Sequence, residues 1–421
     1  TSNSKHPKTS QPFSGTDNCL RRGEKFVPLQ KVSSIMNTPF DFDEIVNRRG
    51  TGSVKWDRCD DASMLPMWVA DMDFKTAPAI IEAVKRRAAE GVYGYVHVPD
   101  SYYEAVINWF EKRHGWSIAS PEDITYIPGI VPALGILVNA LTNPGDGVIF
   151  QTPAYNCFFS MVENNGRKMA LNPLLRRETE TGYYFEIDFD GLERLAAKPE
   201  NRVLLLCNPH NPTGRVWTRE ELQRVSEISK RHGVIVVSDE IHCEIVHPGF
   251  SYTPFATVDA DCVTCCSPTK GFNIAGLLVS NIITHRADLR SKIQQRIQTM
   301  EANLMNPFGI VALQAAYNEG GEWLDALNEY LYNNYLTLRR ELGTRLPQLN
   351  LSNSQSTYLA WADISSLDLT ADEVEQRCKE RGHVWINSGR MYGDPSFIRI
   401  NYACPLSLLL DGLSRIFRSL S

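Results

Sequence analysis

The middle of the chain alternates apolar strands with amphipathic helices, and this alternation is the strongest constraint on its fold. Residues 201–207 (NRVLLLC) form a near-continuous apolar run, which is typical of a parallel strand that is buried on both faces. Thr218 and Glu221 have the spacing of a capping box and predict the start of a helix that Gly233 ends. The run 234–239 (VIVVSD) predicts the next buried strand. Such strand–helix–strand repetition predicts an α/β domain with a mostly parallel sheet.

Similar patterns predict elements on both sides of this region. Upstream and downstream of it we expect a helix that opens at Thr76 and Pro78 and ends at Gly91, a helix over 133–142, and strands at 147–152, 262–266 and 278–284. After about residue 290 come long helical stretches, then predicted strands at 356–364, 383–387 and 397–403 and a closing helix over 406–420. This later pattern predicts a smaller α+β domain.

The first 35 residues differ in composition from the rest of the chain. They are polar and rich in Ser, Thr and Pro, which predicts a disordered leader, and they lack the apolar core of a signal peptide. We take Met36 as the natural start; a genuine extension is the alternative. The formal net charge is −6, so the chain has no excess of positive charge that would attract nucleic acid. No apolar run is long enough to span a membrane. We therefore expect a cytoplasmic protein.

Three of the ten cysteines lie close together at Cys262, Cys265 and Cys266. Their C-x-x-C spacing is compatible with a metal site or with a redox-active cysteine pair. The segment is short and apolar, and no second cysteine pair with zinc-like spacing accompanies it. We therefore expect a buried strand with reduced thiols, which behave as small apolar side chains, and no metal.

A single lysine stands in the segment 267–276 (SPTKGFNIAG), between a polar lead and an apolar run that contains glycine. A lysine in this setting can form a Schiff base with an aldehyde cofactor, and the hydroxyls of Ser267 and Thr269 can bind a phosphate. Most lysines are solvated surface charges, and that is the alternative for Lys270. Its position after a predicted buried strand favours the functional interpretation.

Asn211, Asp239 and Lys270 each follow a predicted strand. Because ligands bind beyond the carboxyl ends of parallel strands, these three side chains are expected at one crevice. Asp239 suits a protonated ring nitrogen, and Asn211 suits a phenolic oxygen. The alternatives are a helix cap or salt bridge for Asp239, and a simple turn for the NPTG motif of Asn211.

Other residues complete a candidate site. The turn 128–133 (PGIVPA) offers backbone amides at Gly129, Ile130 and Val131 to a phosphate. Tyr155 can stack on a cofactor ring or serve in ordinary packing. Arg399 stands alone in an apolar strand (FIRIN), and a buried guanidinium needs an anion. A substrate α-carboxylate would satisfy it, and an internal salt bridge is the alternative.

Distinctive segments run from about Phe40 to the end of the chain. They are 40–57 (FDFDEIVNRRGTGSVKWD), 70–74 (ADMDF), 93–95 (YGY), 152–159 (TPAYNCFF), 211–218 (NPTGRVWT), 238–242 (SDEIH), 270–276 (KGFNIAG) and 356–361 (STYLAW). With Lys270, Asp239 and Asn211 they resemble the aminotransferase class I/II superfamily of fold-type I enzymes that use pyridoxal 5'-phosphate (PLP). Within it the chain is more similar to the MalY/PatB branch, the cystathionine β-lyase-like carbon–sulfur lyases.

The resemblance implies an architecture and an assembly. It implies a large PLP-binding α/β domain over 76–310 with a mostly parallel seven-stranded sheet, and a small α+β C-terminal domain over 311–421. An N-terminal segment over 36–75 is expected to pack on the small domain and the active site. The resemblance also implies a homodimer with shared active sites, since Tyr95 matches a tyrosine that binds the phosphate of the neighbouring subunit.

The resemblance also assigns roles to residues. Lys270, Asp239 and Tyr155 are the expected catalytic residues. Lys270 is expected to form the Schiff base, Asp239 to bind the pyridine nitrogen, and Asn211 to bind the phenolic oxygen, with His242 nearby. Tyr155 is expected to stack on the ring. The residues expected to bind the phosphate are Ser267, Thr269, Ile130, Val131 and Tyr95. Arg399 is expected to hold the substrate carboxylate, with Asn211 and Tyr155 also contacting the substrate.

The implied reaction is β-elimination on an L-amino acid with sulfur on its β-carbon, such as L-cystathionine. Lys270 would remove the α-proton, a thiolate would leave, and pyruvate and ammonia would follow. The first alternative is an aminotransferase, which two departures weaken: many transaminases have Tyr where this chain has His242, and Arg where it has Leu278. The second is a lyase of this type with an added regulatory role through protein contacts. For His242 a merely structural role also stays open.

Overall fold

The computed structural model describes residues 38–421. The predicted leader and the expected start at Met36 lie outside the described residues. The α-helices are α1 Val54–Asp57, α2 Pro78–Ala89, α3 Asp100–His114, α4 Ile130–Leu141, α5 Asn156–Asn164, α6 Phe189–Ala196, α7 Arg219–His232, α8 Ala287–Thr299, α9 Pro307–Glu319, α10 Gly321–Arg345, α11 Ala371–Gly382 and α12 Leu406–Leu420.

The strands form one large sheet and three smaller ones. They are β1 Leu65–Pro66, β2 Ile124–Ile127, β3 Gly147–Thr152, β4 Lys168–Pro173, β5 Leu175–Thr179, β6 Gly182–Glu186, β7 Asn201–Cys207, β8 Ile235–Asp239, β9 Val263–Cys266, β10 Ser280–Ile283, β11 Asn350–Leu351, β12 Leu359–Asp363, β13 Val384–Trp385, β14 Asn387–Ser388 and β15 Phe397–Asn401.

The large sheet has seven strands in the order β2-β10-β9-β8-β7-β3-β4. Strands β9, β8, β7, β3 and β4 run parallel to one another, and β10 runs antiparallel to both β2 and β9. The predicted mostly parallel, seven-stranded sheet is therefore confirmed.

Successive residues of β7 enter two different apolar clusters. Val203 and Leu205 pack with residues of α4 and α8 on one face of the sheet, while Leu204 and Leu206 pack with residues of α7 on the other. Because strand side chains alternate between faces and helices cover both, all four residues from Val203 to Leu206 are apolar and buried. The Thr218–Glu221 capping box is present, and Gly233 ends α7 at a φ of +67°, as predicted.

The predicted strand that contains the cysteines is also confirmed. β9 pairs in parallel with β8, and Cys262, Cys265 and Cys266 are all buried. Removal from water raises the pKa of each of these thiols. The nine cysteines of the described chain are all free thiols.

The C-terminal part contains an antiparallel sheet in the order β11-β12-β15-β14, against which α11 packs. β1, from the N-terminal part of the described chain, pairs in parallel with β13. The boundaries of the two domains stay a prediction. No described helix has both the length and the apolar character that a membrane span requires.

Several predicted elements have different limits in the structure, among them β10, which is Ser280–Ile283 and not 278–284, and β15, which is Phe397–Asn401 and not 397–403. Three further cases have a clear local cause. α4 begins at Ile130 and not at 133, since Pro132 occupies the first helical turn, where a missing N–H costs nothing. β12 begins at Leu359 because Thr357 has a φ of +67°, outside the extended region. The run 383–387 divides into β13 and β14, which pair with different strands.

Candidate active site

A cavity of about 490 Å³ lies beyond the carboxyl ends of β7 and β8. Its volume falls within the range of small-molecule sites. Most of the residues that the sequence singled out line this cavity: Ile130, Val131, Tyr155, Asn211, Asp239, His242, Thr269, Lys270 and Arg399. The structure therefore brings together side chains that are spread over some 270 positions of sequence.

Lys270 follows β9, and its side chain is partly buried. Its Nζ donates a hydrogen bond of 2.5 Å to the carbonyl oxygen of Ala70. Removal from water lowers the pKa of the Lys270 amine to about 8, against the opposing influence of Asp71 and Asp239. About a tenth of the amine is therefore neutral and nucleophilic at pH 7, far more than for an ordinary lysine.

Asp239 ends β8 and is 2% exposed. Its Oδ1 accepts a hydrogen bond of 3.2 Å from the Ile241 amide. No cationic side chain of residues 38–421 lies within the 4.0 Å ion-pair distance of its carboxylate. Burial raises the pKa of Asp239 to about 7. A cationic group of a ligand would therefore stabilise the charged form of this carboxylate.

Arg399 lies in β15 and is 4% exposed. Its guanidinium donates to Asn211 Oδ1 at 3.3 Å and to the Trp68 carbonyl oxygen at 3.1 Å, and it lies 4.5 Å from the ring centroid of Tyr392. Its Nε is buried without a partner, and within the described chain no carboxylate reaches ion-pair distance. The internal salt bridge considered as an alternative is thus absent there, and the guanidinium can still bind an anion.

His242 and Asn211 face the same space. Both are buried, at 3% exposure each. Burial, with the nearby charge of Lys270, lowers the pKa of His242 to about 3, so its imidazole is neutral at any working pH. Its Nδ1 is buried without a hydrogen-bond partner, which leaves one ring nitrogen available to a ligand.

The start of α4 supplies backbone amides to one end of the cavity. Gly129 precedes the helix with a φ of +136°, a conformation that favours glycine. The first-turn amides at Ile130 and Val131 have no partner within the helix, and such amides bind anions. Ser280 lines the same cavity, and its Oγ is buried without a partner. Sequence reasoning missed Ser280, because a serine at the start of a strand gives no signal of its own.

Two predicted residues do not line the cavity. Ser267 is buried behind it, where its Oγ donates to the Val279 carbonyl oxygen at 2.7 Å and shares a hydrogen bond of 2.7 Å with Thr269 Oγ1. Ser267 therefore holds the loop that carries Lys270. Tyr95 is fully exposed and reaches no part of this cavity.

The segment 68–72, here called the strap, lies along the cavity, and its first three residues belong to the cavity lining. Its backbone carbonyl groups accept hydrogen bonds from side chains of the site. Besides Trp68 and Ala70, whose carbonyls bind Arg399 and Lys270, it uses the carbonyls of Val69 and Asp71, which accept hydrogen bonds from Asn401 Nδ2. The sequence singled out 70–74 as a motif, but gave no sign that its backbone positions two site cations.

A larger groove of about 1070 Å³ holds none of the predicted residues. In its wall the potential ligand atoms of His114, Cys243 and Glu244 lie within 4.8 Å of one another. Yet the Glu244 carboxylate already accepts from Trp109 Nε1 at 2.6 Å and Arg113 Nε at 3.2 Å, and lies 3.0 Å from His114 Nε2. Protein donors use this carboxylate, which favours a structural role for the cluster.

Comparison with known proteins assigns the chain to a family. The profile of the aminotransferase class I and II family matches residues 63–416. The chain is 43% identical to cystathionine beta-lyase PatB of Bacillus subtilis over 390 residues, which cover 90% of this chain and 100% of PatB. It is 34% identical to protein MalY of Escherichia coli over 391 residues, 90% of this chain and 99% of MalY.

A solved structure gives the same result. The PLP-bound C-S lyase from Staphylococcus hominis superposes with a TM-score of 0.84 at 34% identity, over 91% of this chain and 99% of that one. The sequence match, the shared fold and the gathered side chains agree with one another. This chain belongs to the aminotransferase class I and II family.

Proposed function

We propose that this chain is a PLP-dependent carbon–sulfur β-lyase. Its substrates are L-cystathionine or related S-substituted L-cysteines, and its products are pyruvate, ammonia and a thiol. One observation carries the proposal: the Lys270 amine and the unpaired guanidinium of Arg399 face one cavity that also holds the buried carboxylate of Asp239. The similarity to the cystathionine beta-lyase PatB and to the C-S lyase from Staphylococcus hominis supports the same reaction.

The unsatisfied groups of the cavity fit PLP. Asp239, buried without a cation, suits the protonated pyridine nitrogen, and the neutral His242 and Asn211 suit the phenolic oxygen. The amides at the start of α4 suit the phosphate, and Tyr155 offers its ring to the pyridine face. PLP, when bound at Lys270, supplies an electron sink for negative charge that develops at the substrate α-carbon.

Arg399 and Lys270 orient and deprotonate the substrate. The guanidinium of Arg399 binds the α-carboxylate, which fixes the α-carbon beside Lys270. The substrate amine would take the place of Lys270 at the cofactor aldehyde, which leaves Lys270 Nζ as a free, neutral amine that can accept the α-proton. The β-carbon–sulfur bond breaks and the sulfur leaves as a thiolate, which then takes up a proton. One water converts the remaining three-carbon amine into pyruvate and ammonia, so that atoms balance.

Product analysis tests the reaction. The purified protein, loaded with PLP, is incubated with L-cystathionine and no keto acid. We expect pyruvate, ammonia and thiol in equal amounts, and we expect borohydride to fix PLP on Lys270, as located by peptide mass spectrometry. Strict dependence on a keto-acid acceptor would instead establish the aminotransferase.

A matched pair of variants controls for loss of fold. Lys270→Ala removes the amine inside the cavity, whereas Lys85→Ala removes an exposed amine on α2, where Lys85 pairs with the exposed Glu82. Lys270→Ala should lose both covalent attachment and pyruvate formation, by about a thousandfold or more, and Lys85→Ala should keep both. Equal activity of the two variants would contradict the proposal.

We further propose a cytoplasmic homodimer in which Tyr95 binds the phosphate in the partner's site. Three neighbouring apolar side chains support a buried interface, since Val92, Tyr93 and Tyr95 are 74%, 58% and 100% exposed in the single chain. The free thiols of the described chain support a reducing compartment.

A further inference from the structure

A second, exposed arginine stands at the mouth of the cavity that holds Arg399. The cavity lining includes four residues that we assign to this mouth: Val54, Arg58, Trp68 and Met391. Val54 and Met391 are 62% and 45% exposed, and Arg58 is exposed as well. The mouth therefore combines an apolar surface with one cation.

Arg58 has no acidic partner within the described residues. Its guanidinium carbon lies 5.5 Å from the ring centroid of Trp68, an interaction that leaves its N–H groups available. Asp57 binds the amides of Gly50 and Gly52, Asp61 pairs with His383 and Asp71 pairs with Arg48. Asp60 is exposed and lies beyond ion-pair distance of the Arg58 guanidinium. Arg58 is thus a positive charge at the mouth with unused donors.

Trp68 links the two arginines. Its carbonyl oxygen accepts a hydrogen bond from Arg399 at 3.1 Å, while its ring makes a cation–π contact with the Arg58 guanidinium. The ring is fixed on its own side by stacking on Trp385, with centroids 4.4 Å apart and planes 10° apart. Its Nε1 donates to the Lys55 carbonyl oxygen at 3.2 Å. One rigid residue therefore sets the spacing between the inner and the outer cation.

We propose that Arg58 is a specificity residue which binds a carboxylate on the sulfur substituent of the substrate. The proposal rests on the proposed lyase function and names its substrate class: L-cysteines whose S-substituent is a short methylene chain ending in a carboxylate. Arg399 holds the α-carboxylate, Trp68 and Met391 contact the methylene groups, and Arg58 binds the distal carboxylate.

Paired substrates test this charge preference. S-Carboxymethyl-, S-carboxyethyl- and S-carboxypropyl-L-cysteine are each compared with the corresponding amide, which has nearly the same shape but no charge. In the holoenzyme we expect kcat/KM for at least one acid to exceed that of its amide on the order of tenfold. Added salt should reduce this ratio, because the pair is exposed.

Three variants assign the preference to one side chain. Arg58→Ala and Arg58→Gln should abolish the acid preference and leave kcat/KM for the amides within about twofold. Arg202→Ala, which removes an exposed arginine outside the cavity, should keep the preference. An equal loss on acids and amides, or no preference at any chain length, would overturn the proposal.

A binding experiment separates this proposal from the lyase function. 2-Aminoadipate, 2-aminopimelate and 2-aminosuberate correspond to the three acids with CH₂ in place of sulfur, and neither they nor their ω-amides can undergo β-elimination. Calorimetry on the holoenzyme should show tighter binding of the acid than of its amide at the preferred chain length, by the same factor, and Arg58→Ala should remove the difference. If cystathionine yields no pyruvate but this difference is found, the lyase function is contradicted and the carboxylate subsite is supported. Equal binding of acid and amide at all three lengths would contradict the subsite alone.

Discussion

At the residue scale, burial moves two ionisable groups of the site towards neutral pH from opposite sides. The pKa of Lys270 is lowered to about 8, and that of Asp239 is raised to about 7. Both shifts have the same main cause, which is that a charge loses its hydration in the cavity. A ligand can therefore stabilise each group in a different way. An aldehyde reacts with the neutral amine, and a cationic nitrogen stabilises the charged carboxylate.

The pH dependence of PLP capture follows from Lys270. A neutral amine is needed to attack the aldehyde, and at pH 7 an amine with a pKa of about 8 is neutral in about a tenth of the molecules. We expect the rate of covalent capture by the cofactor-free protein to rise between pH 7 and 8 and to level off above about pH 9. Stopped-flow absorbance from pH 6 to 10 measures it. A midpoint near 10.5 would contradict the burial effect.

Asp239→Asn should stabilise the cofactor-free protein at alkaline pH. In the unfolded chain this carboxyl ionises near pH 4, whereas its folded pKa is about 7. Folding is therefore penalised increasingly from about pH 4 to 7 and fully above that. The variant avoids the penalty, so its melting temperature should exceed that of wild type at pH 8 and differ less at pH 5. With PLP added the order should reverse. Calorimetric scans at both pH values, with and without PLP, test this.

At the scale of elements, the strap depends on a buried ion cluster. Asp73, 4% exposed in its side chain, accepts from Lys55 Nζ, Arg48 Nη1 and Trp56 Nε1, each at 2.8 Å. The side chain of Lys55 is only 1% exposed. Removing one member of such a cluster leaves a buried charge without its partner, which costs far more than a surface pair gains.

Asp73→Ala should therefore destabilise the protein by about 3–5 kcal/mol. Glu44→Ala is the matched control, since Glu44 pairs with Lys75 in the same part of the chain, where the two side chains are 44% and 56% exposed. That change should cost less than about 1 kcal/mol. Urea titrations at one protein concentration compare the free energies of unfolding. Similar losses in both variants would show that the cluster does not anchor the strap.

The strap also shows where prediction from the sequence ends. β3, β7, α7 and α12 could be predicted from local patterns, because periodicity, caps and terminating glycines act within a few residues. The hydrogen bonds that the strap makes to Lys270 and Arg399 join residues 200 and 331 positions apart. These hydrogen bonds use backbone carbonyls, which every residue has. No residue type in the sequence therefore indicates them. The β5–β6 hairpin was missed for a related reason, as its charged residues do not show a clear alternation.

At the scale of the whole molecule, the proposed dimer would add a tyrosine to one end of each site. The cavity lining includes Ile130 and Val131 at the start of α4, the hydroxyl residues Thr269 and Ser280, and Leu278. By the family resemblance, Leu278 stands where many transaminases have a phosphate-binding arginine. Tyr95 is fully exposed in its own chain. A dimer that exchanges Tyr95 between sites would bury this side chain and complete the phosphate site of its partner.

Mixing two inactive variants tests this exchange. Lys270→Ala and Tyr95→Ala should each lose most activity as pure dimers. In a hybrid dimer one site carries both changes, while the other has an intact Lys270 from one chain and an intact Tyr95 from its partner. Random re-assortment makes about half of the dimers hybrid, so about a quarter of the sites regain activity. We therefore expect co-refolded or co-expressed variants to form pyruvate from cystathionine at about a quarter of the wild-type rate. If Tyr95 served its own chain, every site in the hybrid would carry one lesion and mixing would restore nothing.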